Sequence, residues 1–98
     1  MPDPSPQVFK AFKALSDPKR LQIVLYLADG ELCACQLLDF FQISQPTLSH
    51  DMKVLCEAGL VRSRRCGKNT FYSLSPEIFQ EIQDLISSLG KNGDPDIL

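Results

Sequence analysis

Two thiols two residues apart, Cys33 and Cys35 in Glu31-Leu32-Cys33-Ala34-Cys35-Gln36-Leu37, are the groups best placed to do chemistry in this chain. Neighbouring thiolates hold soft ions, and they also oxidise. Shortly after them comes Ser44-Gln45-Pro46-Thr47-Leu48-Ser49-His50-Asp51-Met52-Lys53-Val54-Leu55. Leu48, Met52 and Leu55 fall at i, i+4 and i+7, so one stripe of a helix packs inward while Pro46, Ser49, His50 and Lys53 face out. Hydroxyls, an imidazole and an ammonium suit hydrogen bonds to phosphates and base edges. Gln45, Thr47, Ser49 and His50 are therefore candidates for the major groove of DNA, and Lys53 for a phosphate. His50 is the sole histidine.

A basic hairpin follows. Strands over about Leu60 to Arg65 and Thr70 to Leu74, joined across Cys66-Gly67-Lys68-Asn69, carry Arg62, Arg64, Arg65 and Lys68, the composition of a wing that tracks a DNA backbone or minor groove. The formal net charge of −2 argues against indiscriminate nucleic-acid binding, but it conceals segregation along the chain. Between residues 53 and 75, Lys53, Arg62, Arg64, Arg65 and Lys68 oppose Glu57 alone. Beyond Pro76, Glu77, Glu81, Asp84, Asp94 and Asp96 oppose Lys91.

The elements that position these groups are mainly helical. With 98 residues and 44% hydrophobic content, the chain suffices for one domain. It is expected over residues 8–89, between a flexible Pro-rich segment 1–7 and a loose tail 90–98. Val8, Phe9, Phe12 and Leu15 mark a first helix, and Ser16-Asp17-Pro18 caps a second that runs to about Ala28 with Leu21, Val24, Leu25 and Ala28 inward. Gln36 to Phe41 forms a short third helix, Gln42-Ile43 the turn, and Ser44 the cap of the fourth. The last helix carries a wide apolar stripe including Phe79, Ile82, Leu85, Ile86 and Leu89, which with Phe9 and Phe12 predicts a homodimer interface. Such a dimer presents two reading helices about one DNA turn apart. The fold class is thus mainly α with a small β-hairpin, a winged helix-turn-helix.

Several functions are disfavoured. No run reaches the roughly 18 apolar residues of a membrane helix, and Met1-Pro2-Asp3-Pro4-Ser5-Pro6 lacks the order of a secretory signal, so a cytoplasmic protein with free thiols and no membrane partner is expected. A thiol oxidoreductase would want Cys-x-x-Cys spacing and a general base, and neither is present; no enzyme is expected. A winged-helix protein-interaction module is the remote alternative.

With helix order, capped turn, wing and cysteine pair assembled, the chain resembles the ArsR/SmtB family of metal-responsive repressors. The resemblance is carried by Ala14-Leu15-Ser16-Asp17-Pro18-Lys19-Arg20-Leu21, Glu31-Leu32-Cys33-Ala34-Cys35, Gln45-Pro46-Thr47-Leu48-Ser49-His50 and Leu55 to Val61. It implies a homodimer that holds double-stranded operator DNA without any cofactor and leaves when an inducer binds. The Cys-x-Cys pair is similar to the arsenic- and antimony-sensing site of the family, which implies arsenite or antimonite at Cys33 and Cys35. Members often carry a third cysteine three residues further on; Leu38 stands there, leaving Cys56, Cys66 or a small thiol from solution to complete a three-sulfur set. A repressor responding to thiol oxidation, or to cadmium, lead or zinc, is the nearer alternative. In an ideal helix residues two apart are rotated by about 200°, so inducer binding is expected to require a frayed or unwound start of the third helix.

Overall fold

The computed structural model describes residues 3–90. Five helices and three short strands follow in the order α1 (Pro6–Leu15), α2 (Pro18–Leu27), β1 (Leu32–Cys33), α3 (Ala34–Phe41), α4 (Gln45–Glu57), β2 (Val61–Cys66), β3 (Asn69–Leu74) and α5 (Pro76–Gly90). The expected winged helix-turn-helix is present, with one strand added. β1 pairs antiparallel with β3, giving a three-stranded sheet in the order β1-β3-β2. A two-residue strand has no periodicity to detect, which is why Leu32–Cys33 read only as the approach to a helix.

The helix starts follow their capping chemistry. Asp17 closes the head of α2, its Oδ1 accepting from the amides of Lys19 at 2.8 Å and Arg20 at 3.1 Å, with Pro18 at the first helical position. Ser44 does the same for α4, accepting from the Thr47 amide at 3.3 Å. Between α3 and α4, Gln42 takes a left-handed φ of 52°, the tight bend that sets the two helices of the reading motif at their angle.

Val8, Ala11, Ala14, Ile23, Val24, Leu27, Leu37, Leu48, Met52, Leu55, Leu60, Val61 and Ile78 form the buried core. The phase of α2 differs from expectation. Ile23, Val24 and Leu27 point inward, while Leu21, Leu25 and Ala28 are exposed. This helix is apolar around most of its circumference, so spacing alone does not select the buried stripe. The start of the domain also differs: Pro6 and Gln7, expected to be loose, open α1, and Ser5 is tied to α5 through Glu81 by its amide at 3.0 Å and its hydroxyl at 2.9 Å. α5 extends through Gly90, the last described residue, and the remainder of the expected tail lies outside the described residues.

Three carboxyls support the fold with pKa values held below their ordinary range. Asp17 is lowered chiefly by the Arg20 amide, Glu31 by its hydrogen bonds from Arg64, and Glu77 by its own amide together with Ser75 and Arg62. A folded pKa below the unfolded one means that this stabilisation is complete above the unfolded carboxylate range and is lost as pH falls through the lower folded values. Thermal melts should therefore hold level from neutrality down to the ordinary carboxylate range and decline below it. A melting temperature that rose on acidification would contradict this assignment.

Candidate nucleic-acid interface and thiol site

α4 is seated by its inner stripe. Leu48, Met52 and Leu55 are buried, and so is Asp51, 3% exposed. Asp51 receives Arg20 Nη1 on Oδ1 at 3.4 Å, and Lys19 Nζ lies 3.3 Å from Oδ2. Oδ2 is sealed from solvent and lacks a directed hydrogen bond, because the lysine approaches off the required line; attraction between charges holds it. Arg20 also donates through Nε to the Ala14 carbonyl at 2.9 Å, so one guanidinium joins the end of α1, the start of α2 and the middle of α4. Sequence reasoning missed Asp51. Its signal was present, since it falls three residues after Leu48 and four before Leu55, on the inward stripe.

With the inner face anchored, Gln45, Pro46, Ser49, His50 and Lys53 are exposed together along the outer side of α4. Thr47 departs from this group. It is half-buried, and its Oγ1 lies 2.8 Å from Ser44 Oγ, where the two hydroxyls share a hydrogen bond at the head of the helix.

The four wing cations divide into two kinds. Arg62 is paired with Glu77 at the head of α5, and Arg64 with Glu31 just before β1. Among the described residues, Arg65 and Lys68 have no carboxylate in salt-bridge range, and both are exposed. Gly67 and Lys68 form the turn, with Gly67 at a φ of 62° and Cys66 paired to Asn69 across it. The hairpin tip thus presents Arg65 and Lys68 as its unpaired charges.

Cys33 and Cys35 meet at the head of α3. Cys33 is the N-cap residue, extended at φ −85° and ψ 160°, while Cys35 lies within the helix. The two sulfurs therefore converge and are joined in a disulfide, in place of the free thiols expected. The opposed-sides argument assumed both cysteines to be helical. Because Cys33 belongs to β1 and only caps the helix, both sulfurs reach one point with the helix start intact, and the expected unwinding is not needed. Gln36 supports this start, its Oε1 accepting from the Cys33 amide at 2.9 Å. Tyr26 stacks on Phe40 at 4.7 Å and meets Phe41 edge-on at 5.2 Å, docking α3 against α2.

Neither other cysteine joins the pair: among the described residues no cluster of three or more His, Cys, Asp or Glu groups is placed to hold a metal ion. Cys66 lies at the wing tip. Cys56 is half-buried, and burial pushes its thiol up against a smaller opposing hydrogen bond with Ser63, which keeps it protonated at neutral pH.

Residues 17–63 match the model of the family described as bacterial regulatory protein, arsR family. The arsenical resistance operon repressor of Staphylococcus xylosus is 53% identical over 70 residues, covering 71% of this chain and 67% of that protein. The chain belongs to the ArsR family. The matched segment runs from the cap of α2 into the first strand of the wing, and so contains the thiol pair, both helices of the reading motif and Asp51. Among solved structures, a possible transcriptional regulator for arsenical resistance superposes with a TM-score of 0.74 at 30% identity, over 83% of this chain and 84% of that one. Reduced HlyU from Vibrio cholerae N16961 superposes with a TM-score of 0.69 at 31% identity, over 87% and 86%. Among the described residues, no helix of this ArsR-family chain is long and apolar enough to cross a membrane.

Proposed function

We propose that this ArsR-family protein is a cytoplasmic repressor of a metalloid-resistance operon, bound to double-stranded operator DNA as a homodimer and released when arsenite or antimonite takes the thiolates of Cys33 and Cys35. The observation that carries this reading is the convergence of the two sulfurs at the head of α3, on the helix that seats the reading helix. Two sulfurs able to bond to each other are also placed to hold one soft ion between them. In arsenous acid each thiol replaces one hydroxyl, forming an As–S bond and releasing water. The third position is left to a hydroxyl or a small thiol from solution. DNA binding itself needs no cofactor.

Dimerisation is supported by apolar surface on the first and last helices. Phe9, Phe12, Ile86 and Leu89 are exposed, by 62, 42, 54 and 77%, while Phe79, Ile82 and Leu85 are half-buried against the core. Exposed groups of this size at neighbouring helices fit a two-fold contact.

The test is fluorescence anisotropy of the reduced protein on the DNA upstream of its gene, read for two protomers per site and titrated with arsenite. Tight binding unaffected by arsenite would reject the inducer. The same assay checks the wing: Arg65→Ala and Lys68→Ala should each weaken binding to all sequences and flatten the salt dependence by about one unit per lost phosphate contact. Unchanged slopes in both would remove the tip from the interface.

A second reading has its own observation. The joined sulfurs of Cys33 and Cys35 are what a repressor released by oxidation would form, with two thiols giving up two electrons and two protons to the oxidant. Release by peroxide, combined with indifference of the reduced protein to arsenite, would favour it.

A further inference from the structure

The three strands place the thiol pair and the wing on one rung of the sheet. Cys33 pairs with Phe71, and Phe71 pairs with Arg64, so these residues lie in a row across β1, β3 and β2. The Arg64 guanidinium lies 4.8 Å over the Phe71 ring and reaches beyond it to Glu31, two residues before Cys33. There it makes a two-pronged contact, Nε to Oε2 at 2.8 Å and Nη2 to Oε1 at 2.7 Å. Arg64 is thus a strap from β2 over β3 to the segment that enters β1, which holds one of the two sulfurs.

We propose that Glu31 and Arg64 are positioning residues that couple the thiol pair to the wing, the inducer acting on DNA affinity through this strap. The inference rests on the arsenite response proposed above and identifies how it is transmitted. The sulfurs of Cys33 and Cys35 are in contact in the structure, so an ion seated between them spreads them apart. Because Cys33 is at once a strand residue, the cap of α3 and a ligand, that displacement falls on β1, and on Glu31 with it. The fork geometry of guanidinium on carboxylate tolerates little displacement. Loss of the fork releases Arg64 from Phe71 and with it the register of the wing against α4. As an exposed ion pair it supplies only a small part of the stability that acid removes, so its role is legible chiefly in coupling.

The experiment compares wild type, Glu31→Gln, Arg64→Gln and the double variant, all reduced. The readouts are operator affinity with and without arsenite, its salt dependence, and arsenite affinity of the DNA-free protein. The expected result is that Glu31→Gln reduces the factor by which arsenite weakens DNA binding by about tenfold, and leaves both arsenite affinity and the salt slope within about twofold of wild type. The double variant should match the single ones, because either change breaks the same contact. Release of wild type and Glu31→Gln by the same factor would overturn the strap alone. So would tighter, more salt-dependent binding by Glu31→Gln, since that is the mark of an Arg64 freed to contact phosphate. Failure of arsenite to release even the wild type would overturn the inducer reading, and the strap with it.

Discussion

Cys33→Ser should bind the operator as the wild type does and should not leave it when arsenite is added. The expected figures are an arsenite-induced weakening of tenfold or more in wild type, about 1.4 kcal/mol of coupling, and less than about twofold in the variant. Two physical facts make the substitution selective. A serine hydroxyl is a hard donor that stays protonated, so one of two soft bonds is lost outright. Residue 33 is also the N-cap of α3, where serine is a preferred residue, so the helix start and the seating of α4 are kept. Cys35→Ser, at an exposed position inside the helix, should behave alike. Titrations under reductant separate the metalloid from the oxidant response, because both variants abolish disulfide formation as well. If either serine variant still left DNA on arsenite addition with undiminished sensitivity, the pair would not be the site.

Asp51→Ala should cost both stability and DNA binding. Its carboxylate is buried and faces Lys19 and Arg20, and removing it leaves Lys19 without its ion-pair partner and Arg20 with Asp17 alone, 3.8 Å away. Breaking a fully buried pair costs roughly 3–5 kcal/mol, and the partial exposure of Lys19 and Arg20 lowers this to about 2 kcal/mol. For a domain of this size that is a fall in melting temperature on the order of 10 °C. DNA affinity should fall further than the unfolded fraction accounts for, because Asp51 fixes the rotation of α4 about its axis and so the direction in which Ser49 and His50 point. Asp51→Asn keeps the shape and removes the charge, which separates packing from ion pairing. A melting temperature within about 1 °C of wild type for Asp51→Ala would show that the contact carries no net weight.

Local chemistry made much of this legible in advance. Asp17 and Ser44 cap their helices, Gln42 turns between α3 and α4, and the outer face of α4 gathers Gln45, Ser49, His50 and Lys53, because capping and helical spacing act over three or four residues. The same short range explains the errors. The phase of α2 was misplaced because apolar residues surround that helix. The half-burial of Thr47 and the hydrogen bond it shares with Ser44 depend on the turn before it, which helical spacing does not describe. The rotation argument treated Cys33 and Cys35 as helical neighbours because pairing with Phe71, far along the chain, is what draws Cys33 into a strand.

The residue order alone determined the family pattern: two thiols two residues apart, a capped reading helix and a basic hairpin, each encoded within a few consecutive positions. Tertiary structure decided which groups meet. It brought the two sulfurs together, buried Asp51 against Lys19 and Arg20, and tied Arg64 to Glu31 while leaving Arg65 and Lys68 unpaired at the wing tip. Those outcomes depend on contacts between segments distant in sequence, where the charge or packing partner of a residue is set by the fold and not by its neighbours in the chain.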